Sequence, residues 1–213
     1  MRMSISLHQN ALKYLAATDP IISKLIKKIG PINVEPRRLP PFQSIIHAII
    51  HQQLSGNVAR VIFDRFIALF GNSNFPTPEE VVNIDLESLR GVGLSRSKAA
   101  YIKGLAEMVL MGRVPSIEEC DRLSDEEIKD HLTEIKGIGP WTVEMLLIFN
   151  FGRPDILPIH DLGVRKGFQI AYKKRELPTP KQLERFGRKW KPYRTMATLY
   201  LWRAVDFVNL EGW

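Results

Sequence analysis

One short signature recurs along the chain. A hydroxyl residue is followed three positions later by Glu, at Thr77/Glu80, Ser116/Glu119 and Ser124/Glu127, and "TPKQLERF" opens the same way at Thr179. The hydroxyl caps the N3 amide while the N3 side chain reaches back to the cap amide, so each pair marks a helix start. "TDPIISKLIKKIG" adds Asp19 as N-cap, Pro20 at the first helical position and Gly30 as the stop. Between these marks the apolar residues fall at helical spacing: Phe42, Ile45, Ile46, Ile49 and Ile50, then Ile62, Phe63, Phe66 and Leu69, with Ser55 as cap and Gly71 as end. A last helix is predicted to begin near Pro192 and to carry Trp202 and Val205. "RVPSI" and "DILPI" are too short and too proline-rich for a sheet. The pattern predicts an all-α fold of about ten short helices.

Composition narrows the function. Of 213 residues, 45% are hydrophobic and 25% charged, enough apolar material for a core. The net charge of +7 and the pI near 9.6 favour an anionic partner, nucleic acid or membrane surface, without choosing between them. No apolar run is long enough to span a bilayer, and "MRMSISLHQN" lacks the pattern of a signal peptide. Cys120 is the sole cysteine, so no disulfide framework or cysteine metal site forms within the chain. An intracellular, reducing location is expected.

"EIKGIGPW", residues 134 to 141, holds the sharpest local signal. Two glycines around Ile138 allow angles closed to other residues, so one helix can stop and the next start at Pro140. Ile138 can plug the angle between them. The new helix presents amides and a positive dipole end, a ready seat for a phosphate oxygen. "LRGVGLSRSKAAYIKGLA" echoes this stretch as a faint repeat. It lacks the G-K-[ST] ending of a phosphate loop, and its Arg96 and Lys98 are candidate contacts to an anionic partner. His47 and His51 are spaced like a zinc-binding pair, but Ala48 stands where that motif needs Glu, so core or surface roles are expected.

"LTEIKGIGPWTVEMLLIF", followed by "LPIHDLGVRKGF" and flanked by "AIIHQQLSGNVARVIFDRF" and "KWKPYRTMATLYLWRA", resembles the helix–hairpin–helix DNA glycosylase superfamily. Within it the chain is most similar to the 3-methyladenine DNA glycosylase II branch. The resemblance covers roughly residues 40 to 208 and implies two helical lobes with a DNA-binding cleft between them. Residues 41–150 are expected to form the helix–hairpin–helix lobe. Residues 1–40 plus 151–213 form the second, which carries Asp161, the implied catalytic carboxylate. An aspartate at a helix start is by default an N-cap, and Asp161 can serve both roles.

The resemblance also assigns Leu54 as the wedge that fills the gap of a flipped base; Gln53 is expected either to fill the same gap or to contact the unpaired partner base. Trp141, Met145, Trp202 and Phe42 are implied around the base. Ser55, Gly137, Gly139, Trp141, Thr142 and Lys166 join Arg96 and Lys98 as DNA contacts. A Na or K ion on the carbonyls near Glu134, Lys136 and Gly139 is implied as a structural clamp; no catalytic metal or cofactor is expected. Members that cut the strand use a lysine where this chain has Trp141, and a tryptophan forms no Schiff base. Members with an iron–sulfur cluster need four cysteines. Longer bacterial members carry an N-terminal sheet domain for which this chain is too short. One departure is His160, where close relatives often have an acid. The expected function is monofunctional excision of alkylated bases such as 3-methyladenine and 7-methylguanine from double-stranded DNA, by a monomer, in bacterial cytoplasm and nucleoid or in a nucleus. A non-catalytic DNA-binding scaffold and a glycosylase for oxidised or mismatched bases are the rival readings.

Overall fold

The computed structural model describes residues 5–54, 56–71 and 74–211. Among them the regular structure is helical throughout: thirteen α-helices and one 3-10 helix. They form two compact units, Arg38–Leu146, and Met1–Arg37 with Leu147–Trp213. The division falls before 41 and 150, and at each end a contact between residues distant in sequence accompanies it. Arg38 makes a bidentate pair with Asp121 of the central unit, at 2.8 Å twice. Past Leu146, Phe149 accepts the Arg37 amide at 2.9 Å and stacks on Trp202 at 5.8 Å, both within the terminal unit.

The central unit contains α3 (Pro41–His51), α4 (Gly56–Ala68), α5 (Pro78–Asn83), α6 (Leu86–Gly91), α7 (Arg96–Leu110), α8 (Ile117–Arg122), α9 (Asp125–Thr133) and the first turns of α10 (Pro140–Phe149). Capping boxes start α5, α8 and α9. α7 packs against α3, α5 and α6. The core takes Ile45, Ile46, Ile49 and Ile50 from α3 and Ile102 and Leu105 from α7, all buried. Ile62 and Phe66 of α4 are buried, whereas Phe63 is half-buried against His47. His47 and His51 stack at 3.9 Å, and Nδ1 of His51 lies 2.8 Å from the His47 carbonyl oxygen. Ser55, the expected cap of α4, lies outside the described residues.

The two Gly-x-Gly hairpins differ in backbone. In α6–α7 the second glycine is left-handed, Gly93 at φ +110°; in α9–α10 the first is, Gly137 at φ +92°. The repeat is one of sequence more than of turn geometry.

The terminal unit contains α1 (Ile5–Thr18), α2 (Pro20–Ile29), α11 (Leu162–Ala171), α12 (Pro180–Gly187), the 3-10 helix Arg188–Trp190 and α13 (Arg194–Glu211). α13 starts two residues after Pro192, because residues 191–193 form the turn out of the 3-10 helix. It packs on α11, α2 and α1. At Gly167 the α11 backbone meets α13 so closely that a Cβ would sit 1.9 Å from the Leu201 carbonyl oxygen. Gly167→Ala must therefore push α11 off α13. It is expected to lower stability by about 1–3 kcal/mol or more in urea unfolding; a wild-type midpoint would show that the helices can part without cost.

Asp19 ties the same unit together. Its Oδ1 accepts the Ile21 and Ile22 amides at 3.0 and 3.3 Å, as the N-cap of α2. Its Oδ2 accepts the Tyr172 hydroxyl, the Trp190 indole N–H at 2.9 Å and the Lys189 ammonium at 2.9 Å. No helix among the described residues is long and apolar enough to cross a membrane.

Candidate functional site

Asp161 stands at the N-cap of α11, and two donors share its Oδ1: the Val164 amide at 2.7 Å and the Trp202 indole N–H at 2.8 Å. The cap and the indole together fix the carboxylate rotamer. Gly163 makes room for them. A Cβ there would lie 3.0 Å from Trp202 Cδ1 and 3.1 Å from Asp161 Oδ1. Trp202 is held in turn by its stack on Phe149, with ring planes 18° apart.

The stretch leading to Asp161 has no regular structure, yet it is clamped to the start of α13. Arg194 binds Asp155 through Nε at 2.7 Å and Nη2 at 2.9 Å. The Thr195 amide donates to the Pro154 carbonyl at 3.0 Å, and the Thr195 hydroxyl takes the Ile156 amide at 2.9 Å while donating to Arg153 O at 2.6 Å. "DILPI", too short for a strand, is thus an anchored lead-in that delivers Asp161 to its helix. His160 is exposed in the tight turn closed by the Asp161 amide on Pro158 O, at 3.1 Å.

The hairpin of the central unit has a different economy from the expected one. Gly137 needs to be glycine twice over, for its positive φ and because a Cβ would fall 2.2 Å from the Tyr101 ring. Gly139 needs neither: its φ is ordinary and nothing lies within 4 Å of a Cβ there. The absent side chain leaves the start of α10 open to close approach by a ligand. Ile138 between them is buried, as a plug should be. Trp141 in the first turn of α10 is 44% exposed, and Met145 follows one turn later, half-buried.

The α3–α4 turn carries Gln53, left-handed at φ +57°, and then Leu54, 39% exposed. Large, apolar and outward, Leu54 has the form a wedge needs. Phe42 is buried in the aromatic core, edge-on to Phe75 at 5.9 Å. Arg96 and Lys166 are exposed, at the start of α7 and on α11.

Two expected DNA contacts have side chains turned inward, which rules out the Lys98 ammonium as a phosphate contact and leaves Thr142 its backbone amide. The Lys98 ammonium donates inward to Ile50 O at 2.9 Å and Gln52 O at 2.7 Å, and burial pulls its pKa below the ordinary lysine value. Thr142 is 3% exposed, and its hydroxyl oxygen accepts from Gln52 at 3.2 Å, so its side chain faces the unit's interior. Gln52, Tyr101, Gly163 and Arg194 were not expected at the site. Each acts through another residue, and a motif shows the residue that touches the ligand more readily than the one that holds it.

A helix–hairpin–helix with an open glycine at its second helix, an exposed leucine on a strained turn, and an aspartate fixed at a helix cap define a helix–hairpin–helix protein equipped for DNA. The chain belongs to the HhH-GPD superfamily of base excision DNA repair proteins, which its residues 46–192 match. It is 39% identical over 200 residues to DNA-3-methyladenine glycosylase 1 of Schizosaccharomyces pombe, covering 92% of this chain and 87% of that protein. To the alkylbase DNA glycosidase-like protein mag2 of the same organism it is 35% identical over 198 residues, covering 92% and 93%. Among solved structures it is similar to the Schizosaccharomyces pombe 3-methyladenine DNA glycosylase in complex with abasic DNA, at a TM-score of 0.84, 38% identity, and 96% and 98% of the two chains. A DNA-3-methyladenine glycosidase from Bacillus halodurans gives a TM-score of 0.84 at 35% identity, over 94% and 91%.

Proposed function

We propose that the protein is a monofunctional DNA glycosylase that flips alkylated bases out of duplex DNA and hydrolyses their N-glycosidic bond in base excision repair. The observation that carries this is Asp161, fixed by Val164 and Trp202 in a chain 39% identical over most of its length to a named 3-methyladenine glycosylase. As the bond to the base breaks, its electron pair leaves with the base and positive charge grows on the sugar, as in glycoside hydrolysis. A fixed carboxylate stabilises that charge, orients the water that attacks C1′ and takes its proton. Leu54 fills the gap left in the stack.

Trp141 and Met145 are proposed to meet the extruded base, with Trp202 bordering the carboxylate. The tryptophan at 141 offers no amine for a Schiff base, so strand cleavage is not part of the activity. The hairpin amides and Arg96 and Lys166 hold phosphates. A monovalent cation near Glu134, Lys136 and Gly139 would be a structural clamp. The turn fits it in part: Ile135 O and Gly137 O already accept Ile138 N and Gln52, while Gly139 O accepts Val143 N and keeps a second lone pair. The protein acts as a monomer on DNA inside the cell.

The test is single-turnover release from matched duplexes holding 7-methylguanine or hypoxanthine, across pH, with borohydride present in a parallel set. The proposed pocket residues include no general acid, so the base that already carries positive charge should leave faster, and no adduct should be trapped. An electron-rich tryptophan face adds about 0.5–2 kcal/mol of attraction for the cationic ring. Faster hypoxanthine release at neutral pH would overturn selection by charge. Release of neither base would favour the DNA-binding scaffold.

A further inference from the structure

The α3–α4 turn is held in a conformation that a free chain would leave. A left-handed glutamine costs about 1–2 kcal/mol relative to the right-handed region, and an exposed leucine follows it. What holds the turn lies in Gln52, just before. Its side-chain nitrogen donates to Gly137 O at 3.2 Å and to Thr142 Oγ1 at 3.2 Å, residues 85 and 90 positions away in sequence. A side-chain amide has two N–H donors, so Gln52 uses both on the hairpin. Its own carbonyl is gripped by Lys98 at 2.7 Å, and Lys98 also holds Ile50 O at the end of α3.

We infer that Gln52 is a positioning residue for base extrusion: it locks the phosphate-holding hairpin to the Leu54 turn, so that seating the hairpin on the backbone delivers the leucine to the stack. This rests on the glycosylase reading above. All the groups belong to one unit, so the spacing is set before DNA arrives. The hairpin end of the lock is the turn itself and the first turn of α10, not a distant part of the core. Leu54 needs this help because it carries no bond of its own to the hairpin; its placement comes from the residue two before it. The side chain is specific in length and chemistry. Asparagine is one methylene too short, and glutamate puts an acceptor against the Gly137 carbonyl.

The experiment is a double-mutant cycle in the full chain: wild type, Gln52→Ala, Leu54→Ala and the pair. Two duplexes are used. One carries an abasic-site analogue beside 2-aminopurine, whose fluorescence reports opening of the stack without any chemistry. The other carries 7-methylguanine for single-turnover release. Gln52→Ala is expected to lower the fluorescence rise at saturating protein and to slow release by roughly tenfold, the scale of a small misplacement. Binding to undamaged duplex, set by phosphate contacts, should stay within about twofold. In the Leu54→Ala background the same change should add less than about twofold, because coupled residues are not additive. Equal effects in both backgrounds, or a parallel loss of undamaged-duplex binding, would overturn the inference. If Gln52→Ala melts too low to assay, Thr142→Val removes one acceptor alone, and its cycle must show the same non-additivity at smaller size. A wild type that opens the stack but releases no base would sink the glycosylase reading and leave the lock standing. A wild type that releases base while Gln52→Ala opens the stack normally would sink the lock alone.

Discussion

Asp161→Asn is expected to slow release of 7-methylguanine and 3-methyladenine by roughly 10²–10³-fold, the loss seen when one preorganised electrostatic stabiliser is removed. The fold should survive. Asparagine keeps an oxygen that can accept the Val164 amide and the Trp202 indole N–H, the two donors on Oδ1. What it loses is charge, and with it the stabilisation of the sugar cation and the base that takes a proton from water. The effect should appear in the single-turnover rate and not in affinity for abasic duplex, where no cation develops. Thermal melting controls for folding. A variant that keeps the wild-type rate would mean that Asp161 is a helix cap and nothing more, and would move the search for the carboxylate elsewhere.

The helices were legible because their signals are local. Asp19, Thr77, Ser116, Ser124 and Thr179 each cap as their sequence implies, since a hydroxyl or carboxylate bonding two or three residues onward needs no tertiary partner. The edges of the two units carry no such local mark. Composition does not change at their edges, and what moves those edges is contact across the sequence: Arg38 on Asp121, and Phe149 on Trp202.

In the site, sequence showed the residues placed outward and missed those placed behind them. Leu54 and Trp141 stand at turns, where exposure follows from the neighbouring break in the helix. Lys98 misled because a lysine in "GVGLSRSK" has the same letters whether its ammonium meets a phosphate or two buried carbonyls. Gly139 and Gly137 look alike in "GIGP", but only the backbone shows that one is required by φ and Tyr101 while the other leaves an opening.

Asp19→Ala is expected to destabilise the protein by about 3–5 kcal/mol at pH 7, the scale of removing one partner from a buried charged network. Asp19 is 1% exposed, and its carboxylate serves five donors at once. Alanine removes the cap of α2, worth about 1 kcal/mol. It also leaves the buried Trp190 indole N–H and the Tyr172 hydroxyl without that acceptor, at about 1–3 kcal/mol each where nothing replaces it. The pH dependence distinguishes this account from simple loss of packing. Burial alone would raise the Asp19 pKa, but the hydrogen bonds from Tyr172, Trp190 and Lys189 outweigh it and hold the carboxyl below its ordinary 3.8. A depressed folded pKa means stability that is fully present above the unfolded value and is lost as pH falls through the folded one. The gap between wild type and variant in urea unfolding should therefore be constant from neutral pH down to about 5 and narrow steadily below about 4. A gap of the same size at neutral pH and in acid would mean that Asp19 stabilises through shape alone, because a carboxylate that matters by its charge must lose its advantage when it takes up a proton.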